Sequence, residues 1–234
     1  MLIAGFPAAA FGTNCYVLAP AAGEECLVVD PGVEVVAQLD ALLDEHRLQP
    51  VAVLLTHGHI DHTFSVTPVC GARDIPAYIH PDDNGLLADP MSGISAETRA
   101  MFGGRLDWTE PDDVRPLADG ELLRLAGLEV TIDHAPGHTR GSVAFRLPYD
   151  DEVPEVMLSG DLLFAGSIGR TDLPGGDHAT MLRSLAEKVL PLRDEVVVLP
   201  GHGEQTTIGR ERAANPFLQR LPRTTGAPAP ARGL

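Results

Sequence analysis

From Thr56 to His62 the chain reads Thr-His-Gly-His-Ile-Asp-His, which sets three imidazoles and a carboxylate within six consecutive residues. Such side chains are costly to crowd together unless something pairs with them. Imidazole and carboxylate suit a divalent cation, with zinc, iron and manganese all compatible. If the backbone stays extended after Leu55, His57 and His59 point to one side, because side chains at i and i+2 share a face. Asp61 and His62 are adjacent and join that geometry only if the chain turns. A helix starting there aims both at a second position nearby. The motif thus offers two ligands to each of two cations.

Three later turns carry the remaining ligand types. His138, in Pro136-Gly137-His138-Thr139, can complete a trio with His57 and His59. His202, in Pro200-Gly201-His202-Gly203, can complete another with Asp61 and His62. Asp161, in Ser159-Gly160-Asp161, has two carboxylate oxygens and can bridge both positions. A coordination position left to water marks a catalytic cation rather than a structural one. Alone, His138, Asp161 or His202 reads as a capping or structural residue. Seven ligand-type residues in complementary numbers, each on a strand-end turn, do not.

The elements that must carry these turns are visible as apolar runs. Val51–Leu55 is continuous and reads as a strand buried on both faces. Leu128–Ile132, Glu155–Ser159 and Glu195–Leu199 each lead into a turn bearing His or Asp. In such sheets ligands gather at the carboxyl ends of strands, so the four turns converge on one rim. Leu2–Phe6, Thr13–Ala19 and Cys26–Asp30 read as an opening antiparallel set. Glu34–His46 and Asp177–Val189 carry apolar stripes at helical spacing. Thr63–Gly71 reads as a helix, Pro76–His80 as a strand, and 82–120 as an irregular lobe over the site with a short helix near Ser95–Phe102. Strands alternating with helices predict an α/β domain over residues 1–221. Residues 222–234, rich in Pro, Ala and Gly, are expected to be a disordered tail.

Composition narrows the partners. A net charge of −16 over 234 residues disfavours nucleic acid and anionic membranes, whose recognition needs a basic surface. The oligomeric state is not legible. No apolar run is long enough to span a bilayer, and no basic segment opens the apolar N-terminus, so a cytoplasmic location is expected. Cys15, Cys26 and Cys70 form no CxxC pair and read as small buried apolar residues.

With these motifs in place the sequence resembles the metallo-β-lactamase-fold hydrolases. Their HxHxDH motif matches His57-Gly-His59-Ile-Asp61-His62, and their later histidine, aspartate and histidine match His138, Asp161 and His202. The resemblance runs to about Leu221 and implies a four-layer αββα sandwich of two mixed sheets, with metals at one edge. Within the family it is most similar to the glyoxalase II-like, or hydroxyacylglutathione hydrolase-like, enzymes. Thr13-Asn14-Cys15-Tyr16, Asp30-Pro31-Gly32, Gly160–Phe164, Gly169-Arg170-Thr171-Asp172 and Asn215-Pro216-Phe217 carry that likeness. It implies two divalent ions, Zn2+ first with Fe or Mn compatible, and Asp61 and Asp161 as catalytic carboxylates. The implied reaction is attack of a metal-bridging hydroxide on the acyl thioester of a small thiol. Because thiol pKa values lie at about 8–9, the thiolate leaves without a dedicated acid.

Two departures bear on substrate. The chain ends soon after Asn215-Pro216-Phe217, without the C-terminal helical domain of full-length glyoxalase II. Asp172 also stands where a tyrosine is expected, two residues after Arg170. The thiol carrier is therefore open between glutathione and another small thiol, with Arg140, Arg170 and Arg210 as candidate anion contacts. Asp30 is a candidate support beneath the metals, and His134 a candidate hydrogen-bond partner for a ligand or the backbone. His46, His80 and His178 read as helix-end or surface residues. The rival reading is the similar persulfide dioxygenase, with one iron on His57, His138 and Asp161. A nuclease, a β-lactamase and a flavodiiron-type oxygen reductase fit less well: the charge is acidic, no export signal is visible, and His59 stands where the last would carry glutamate.

Overall fold

In this computed structural model, which describes residues 1–101, 108–149 and 155–221, β1 (Leu2–Pro7), β2 (Asn14–Ala19), β3 (Glu25–Val29), β4 (Gln49–Leu54), β5 (Ala77–Ile79) and β6 (Val114–Pro116) pair in that order. The first three strands are antiparallel; β3 to β6 run parallel. The second sheet holds β7 (Leu122–Leu125), β8 (Leu128–His134), β9 (Val143–Pro148) and β10 (Glu155–Gly160). A hairpin of β11 (Leu163–Phe164) and β12 (Ser167–Ile168) stands apart from both sheets. Next to β10 in the second sheet come β13 (Val197–Pro200) and β14 (Thr206–Thr207), with β13 parallel to β10 and the other pairs antiparallel.

Alternation along the strands makes the layers. Leu18, Leu27, Val29 and Leu54 face inward and meet Ile132, Phe145, Leu147 and Leu158 of the second sheet. Their neighbours Val17, Val28 and Val53 face outward, where Leu39 and Leu43 of α1 (Val36–His46) cover them. The β4–β5 connection forms α2 (Ile60–Thr63) and α3 (Val66–Gly71), and Val66 and Val69 pack on the same outer face. On the far side Ala144, Met157 and Val198 lie under Met181, Leu185 and Ile208. The result is the expected αββα sandwich of two mixed sheets. Phe145 is fully buried between the sheets. Phe145→Ala is expected to destabilise the chain by about 3–5 kcal/mol, read as a lower denaturant midpoint at constant slope.

Several elements differ from the reading of the sequence. The expected helix over Thr63–Gly71 is broken, because the Ser65 amide leaves the helical ladder and donates to the Pro31 carbonyl at 2.9 Å. The lobe over 82–120 is more ordered than expected. It holds α4 (Asn84–Ala88), α5 (Ala96–Met101) in place of the expected Ser95–Phe102, and β6, which extends the first sheet. Phe102 lies outside the described residues, as does the tail 222–234. The helix expected over Asp177–Val189 is α6 (His178–Ser184), capped by Asp177 and continued by a π turn over Leu185–Val189. α7 (Ile208–Ala214) was not anticipated. Among the described residues no helix is long and apolar enough to cross a membrane.

Candidate metal centre

The four predicted turns do meet on one rim. His57 and His59 follow the end of β4. His59 is still extended, with φ −67° and ψ 145°, and α2 begins at Ile60, so the chain turns between the two halves of the motif. His138 comes from the β8–β9 loop, Asp161 from the end of β10 and His202 from the end of β13. His57, His59 and His138 offer ligand atoms all within 4.8 Å of one another, as do Asp61, His62 and His202. In the first trio His59 Nδ1 is 2.8 Å from His138 Nε2. In the second, His202 Nε2 is 3.1 Å from Asp61 Oδ2 and 3.3 Å from His62 Nε2. Asp161 lies between the trios, with Oδ1 3.3 Å from His62 Nε2 and Oδ2 3.4 Å from His138 Nε2.

Nitrogen lone pairs facing each other at such distances repel unless a proton or a cation lies between them. His57 Nε2, His59 Nε2 and Asp161 Oδ1 are buried and make no hydrogen bond among the described residues. Buried polar atoms are ordinarily paired, and His57 and Asp161 belong to one ligand cluster, so their orphaned atoms fit a missing cation, while His59 faces the cluster through Nδ1. The donor set suits one or two divalent ions of the zinc, iron or manganese type.

The surroundings set the tautomers. His138 Nδ1 donates to the Arg170 carbonyl at 2.7 Å, and His62 Nδ1 to Asp30 Oδ2 at 2.9 Å. The Thr56 hydroxyl donates to Asp30 Oδ2 at 2.6 Å, so it accepts from His57 Nδ1 at 3.1 Å. Each arrangement turns Nε2 toward the cluster and holds the ring in place. Asp30 thus supports the centre from beneath, its Oδ1 taking the Thr56 amide at 2.8 Å. The left-handed backbone at Asp30, φ 49°, turns the chain at the end of β3.

Charge divides the histidines. Burial, reinforced by neighbouring histidines, lowers His57 far below its ordinary range and His59 to about 3, so both are neutral near pH 7. Burial also lowers His62, but Asp161, Asp61 and Asp30 outweigh it and raise the ring well above its ordinary range. His202 is raised too, as Asp61 and Asp161 overcome its burial. Burial raises Asp61 and Asp161, yet His62 and its neighbours hold both below the usual carboxylate range. A cation binding here competes with protons at His62 and His202, whose protonated forms the neighbouring carboxylates favour. Affinity is therefore expected to fall as pH drops, by about tenfold per pH unit for each proton displaced. Calorimetry in buffers of different ionisation heat counts those protons; pH-independent affinity between pH 7 and 5 would contradict this.

Above the centre lies a cavity of about 450 Å³. His59, Asp61, His138, Asp161 and His202 line it beside apolar walls of Phe11, Ile60, Ile94, Phe164, Ile168 and Leu173. Arg170 reaches the same cavity and is exposed, paired with Asp172 through two hydrogen bonds of 2.7 and 2.8 Å.

A model of the metallo-β-lactamase superfamily matches residues 8–202. The chain belongs to that superfamily. An uncharacterized protein of Mycobacterium leprae is 50% identical over 94% of this chain and 100% of its own length. The hydroxyacylglutathione hydrolase GloC of Haemophilus influenzae is 34% identical over 91% of this chain and 95% of that one. Among solved structures, BLEG-1 B3 metallo-β-lactamase superposes with a TM-score of 0.79 at 37% identity, covering 93% of this chain and 99% of that one. TTHA1623 in a di-iron-bound form does so with 0.75 at 40% identity, covering 92% and 100%.

Against this superfamily frame the outlying candidates separate. Arg140 does not line the cavity; it borders a neighbouring hollow with Asp82 and Ser92. Arg210 is exposed on α7 and lines neither space. His134 meets no candidate ligand. Its Nε2 donates to the Arg140 carbonyl at 2.9 Å, and its ring stacks on His80 at 3.9 Å with planes 6° apart. His80, Asp82 and His134 also cluster within 4.8 Å. Parallel rings aim their lone pairs along separate planes, so one ion cannot lie in both, and the trio is a poor metal site as it stands. His80 instead caps the turn Pro81–Asp83, its Nδ1 accepting from the Asp82 amide at 3.3 Å.

Reading the sequence by ligand type passed over the residues that hold the ligands. Thr13 donates to Asp61 Oδ2 at 3.2 Å. Asn14 donates to the Pro200 and Gly203 carbonyls, each at 3.0 Å, and Tyr16 to the Pro200 carbonyl at 2.9 Å. These bonds lock β2 of the first sheet onto the loop bearing His202. The available signal was the segment Thr13–Tyr16 itself, polar residues set in an otherwise apolar strand.

Proposed function

We propose that this chain hydrolyses acyl thioesters of a small thiol, with two divalent cations held by His57, His59, His138, Asp61, His62, His202 and a shared Asp161. The observation that carries the proposal is the position of Asp161 between two complete trios. When bound, such a pair of cations lowers the pKa of a shared water and polarises a carbonyl.

The chain's own groups supply the rest. Asp61, at the cavity floor with its carboxylate fixed by Thr13, orients the attacking water. The walls around Phe164 and Ile168 take the apolar part of the substrate and thin out competing solvent. A thiolate leaves on its own, because thiol pKa values lie at about 8–9. Arg170, on the cavity wall, is assigned to an anionic group of the thiol carrier in exchange with Asp172. The name of the Haemophilus influenzae relative supports the thioester class. The persulfide dioxygenase alternative, on His57, His138 and Asp161 alone, leaves Asp61, His62 and His202 gathered at the same rim without a task.

The test is a panel of lactoyl thioesters of several cellular thiols, run beside a β-lactam and glutathione persulfide, with bound metal measured on the same preparation. Hydrolysis of at least one thioester is the expected result. Oxygen uptake on the persulfide with one iron per chain, or turnover of the β-lactam alone, would overturn the proposal.

A further inference from the structure

We infer that Asp83 is a positioning residue that fixes the separation of the two loops carrying His57, His59 and His138. The inference rests on the cation-binding part of the proposed function, not on the thioester. Asp83 closes the short turn Pro81–Asp83 after β5, and its side chain is fully buried. Its carboxylate accepts three hydrogen bonds: from the Gly58 amide at 2.8 Å, the Thr139 hydroxyl at 2.7 Å and the Gly141 amide at 2.7 Å. Gly58 sits between His57 and His59 on the loop of the first sheet. Thr139 and Gly141 follow His138 on the loop of the second. One carboxylate therefore grips both ligand-bearing loops by their main chains, next to the 2.8 Å approach of His59 to His138.

The glycines are part of the grip. A Cβ on Gly141 would lie 2.7 Å from Asp83 Cγ, and one on Gly58 would lie 2.6 Å from Leu86 Cβ and 3.1 Å from the Asp83 carbonyl oxygen. Only a residue without a side chain lets either backbone reach the carboxylate. The same two loops are also joined at their base, where the Val143 amide donates to the Thr56 carbonyl at 2.8 Å. With that tie alone the loops can hinge; the tie at Asp83, made of charge-assisted bonds, closes the other end. An uncompensated buried carboxylate is costly to keep. Among the described residues it bonds to neutral donors alone, which fits a part in holding cation ligands. The Asp83 side chain bonds, among the described residues, to none of Asp61, His62 and His202, so its effect belongs to one trio.

The experiment titrates the metal-free full chain with Zn2+ against a chromophoric chelator, for wild type, Asp83→Asn and Thr139→Val, and repeats it with Co2+ to read the absorption bands. Asp83→Asn keeps the volume but turns an amide N–H toward a backbone N–H. One binding step is expected to weaken about 10–100-fold with a shift of its Co2+ bands, while the other step holds. Thr139→Val, which removes one of the three donors to Asp83 along with the 2.7 Å bond to the Ser142 hydroxyl, shifts the same step in the same direction by less. Both steps unchanged, or both weakened equally, overturns the inference. If Asp83→Asn does not fold, the Thr139→Val titration decides: one step weakened supports the inference and none weakened overturns it. Wild type that binds two Zn2+ yet splits no thioester defeats the proposed substrate and leaves these readings intact. Wild type that binds one cation defeats the two-cation reading, and Asp83→Asn must then weaken that single step.

Discussion

Asp161→Ala is expected to abolish both cation retention and turnover. Asp161 is the group that faces both trios, and its two oxygens lie 3.3 Å from His62 Nε2, 3.4 Å from His138 Nε2 and 3.7 Å from His202 Nε2. Without it three ring nitrogens share a buried space with no carboxylate between the trios. Residues that act as a unit lose most of their effect when any one is removed, so kcat/KM should fall by roughly 10⁴-fold. The backbone around it is held independently: the Gly201 amide donates to the Gly160 carbonyl at 2.8 Å, and the Leu162 amide to the Ser159 carbonyl at 3.0 Å. The variant should therefore keep its circular dichroism spectrum while losing metal. A fully active, metal-loaded Asp161→Ala would refute the assignment of this residue.

Asp30→Ala should damage stability and the centre together. Its carboxylate is buried and takes the Thr56 amide, the Thr56 hydroxyl and His62 Nδ1. Truncation strands all three buried donors, and removing one partner of a buried charged pair costs about 3–5 kcal/mol. The denaturant midpoint should fall at constant slope. With Thr56 and His62 unheld, the Nε2 atoms of His57 and His62 lose their aim, and cation affinity should drop about 10–100-fold. Asp30→Asn, which keeps an acceptor for the Thr56 amide, should recover more of the stability than of the affinity. Equal recovery of both would mean that Asp30 supports only the fold.

What could be read from the sequence followed physical signals of different strength. The gathering of these side chains on one rim was legible because histidines and aspartates stand at the ends of apolar runs, where strand direction dictates a shared rim. The turn between His59 and Asp61 was legible from side-chain geometry alone. Short edge elements were not: β6 is three residues long and β14 two, and pairing with a neighbour creates them rather than any pattern of their own. Arg140 borders another hollow and His134 bonds the backbone rather than a ligand, because nearness to His138 in sequence is not nearness in space. β8 runs on to His134, and only the loop after it carries His138 to the rim. Asp83 was invisible for the opposite reason. In Pro81-Asp82-Asp83-Asn84 it reads as a solvated turn, and only the meeting of two loops from different sheets buries it.

The central claim is that two cations on seven side chains serve hydrolysis of a thioester. Its most direct test adds Zn2+ stepwise to the metal-free chain while the hydrolysis of lactoyl thioesters is followed by thiol release. Activity is predicted to rise to a plateau at two equivalents of Zn2+ per chain. A plateau at one equivalent, or metal uptake with no thiol released from any member of the series, would contradict it.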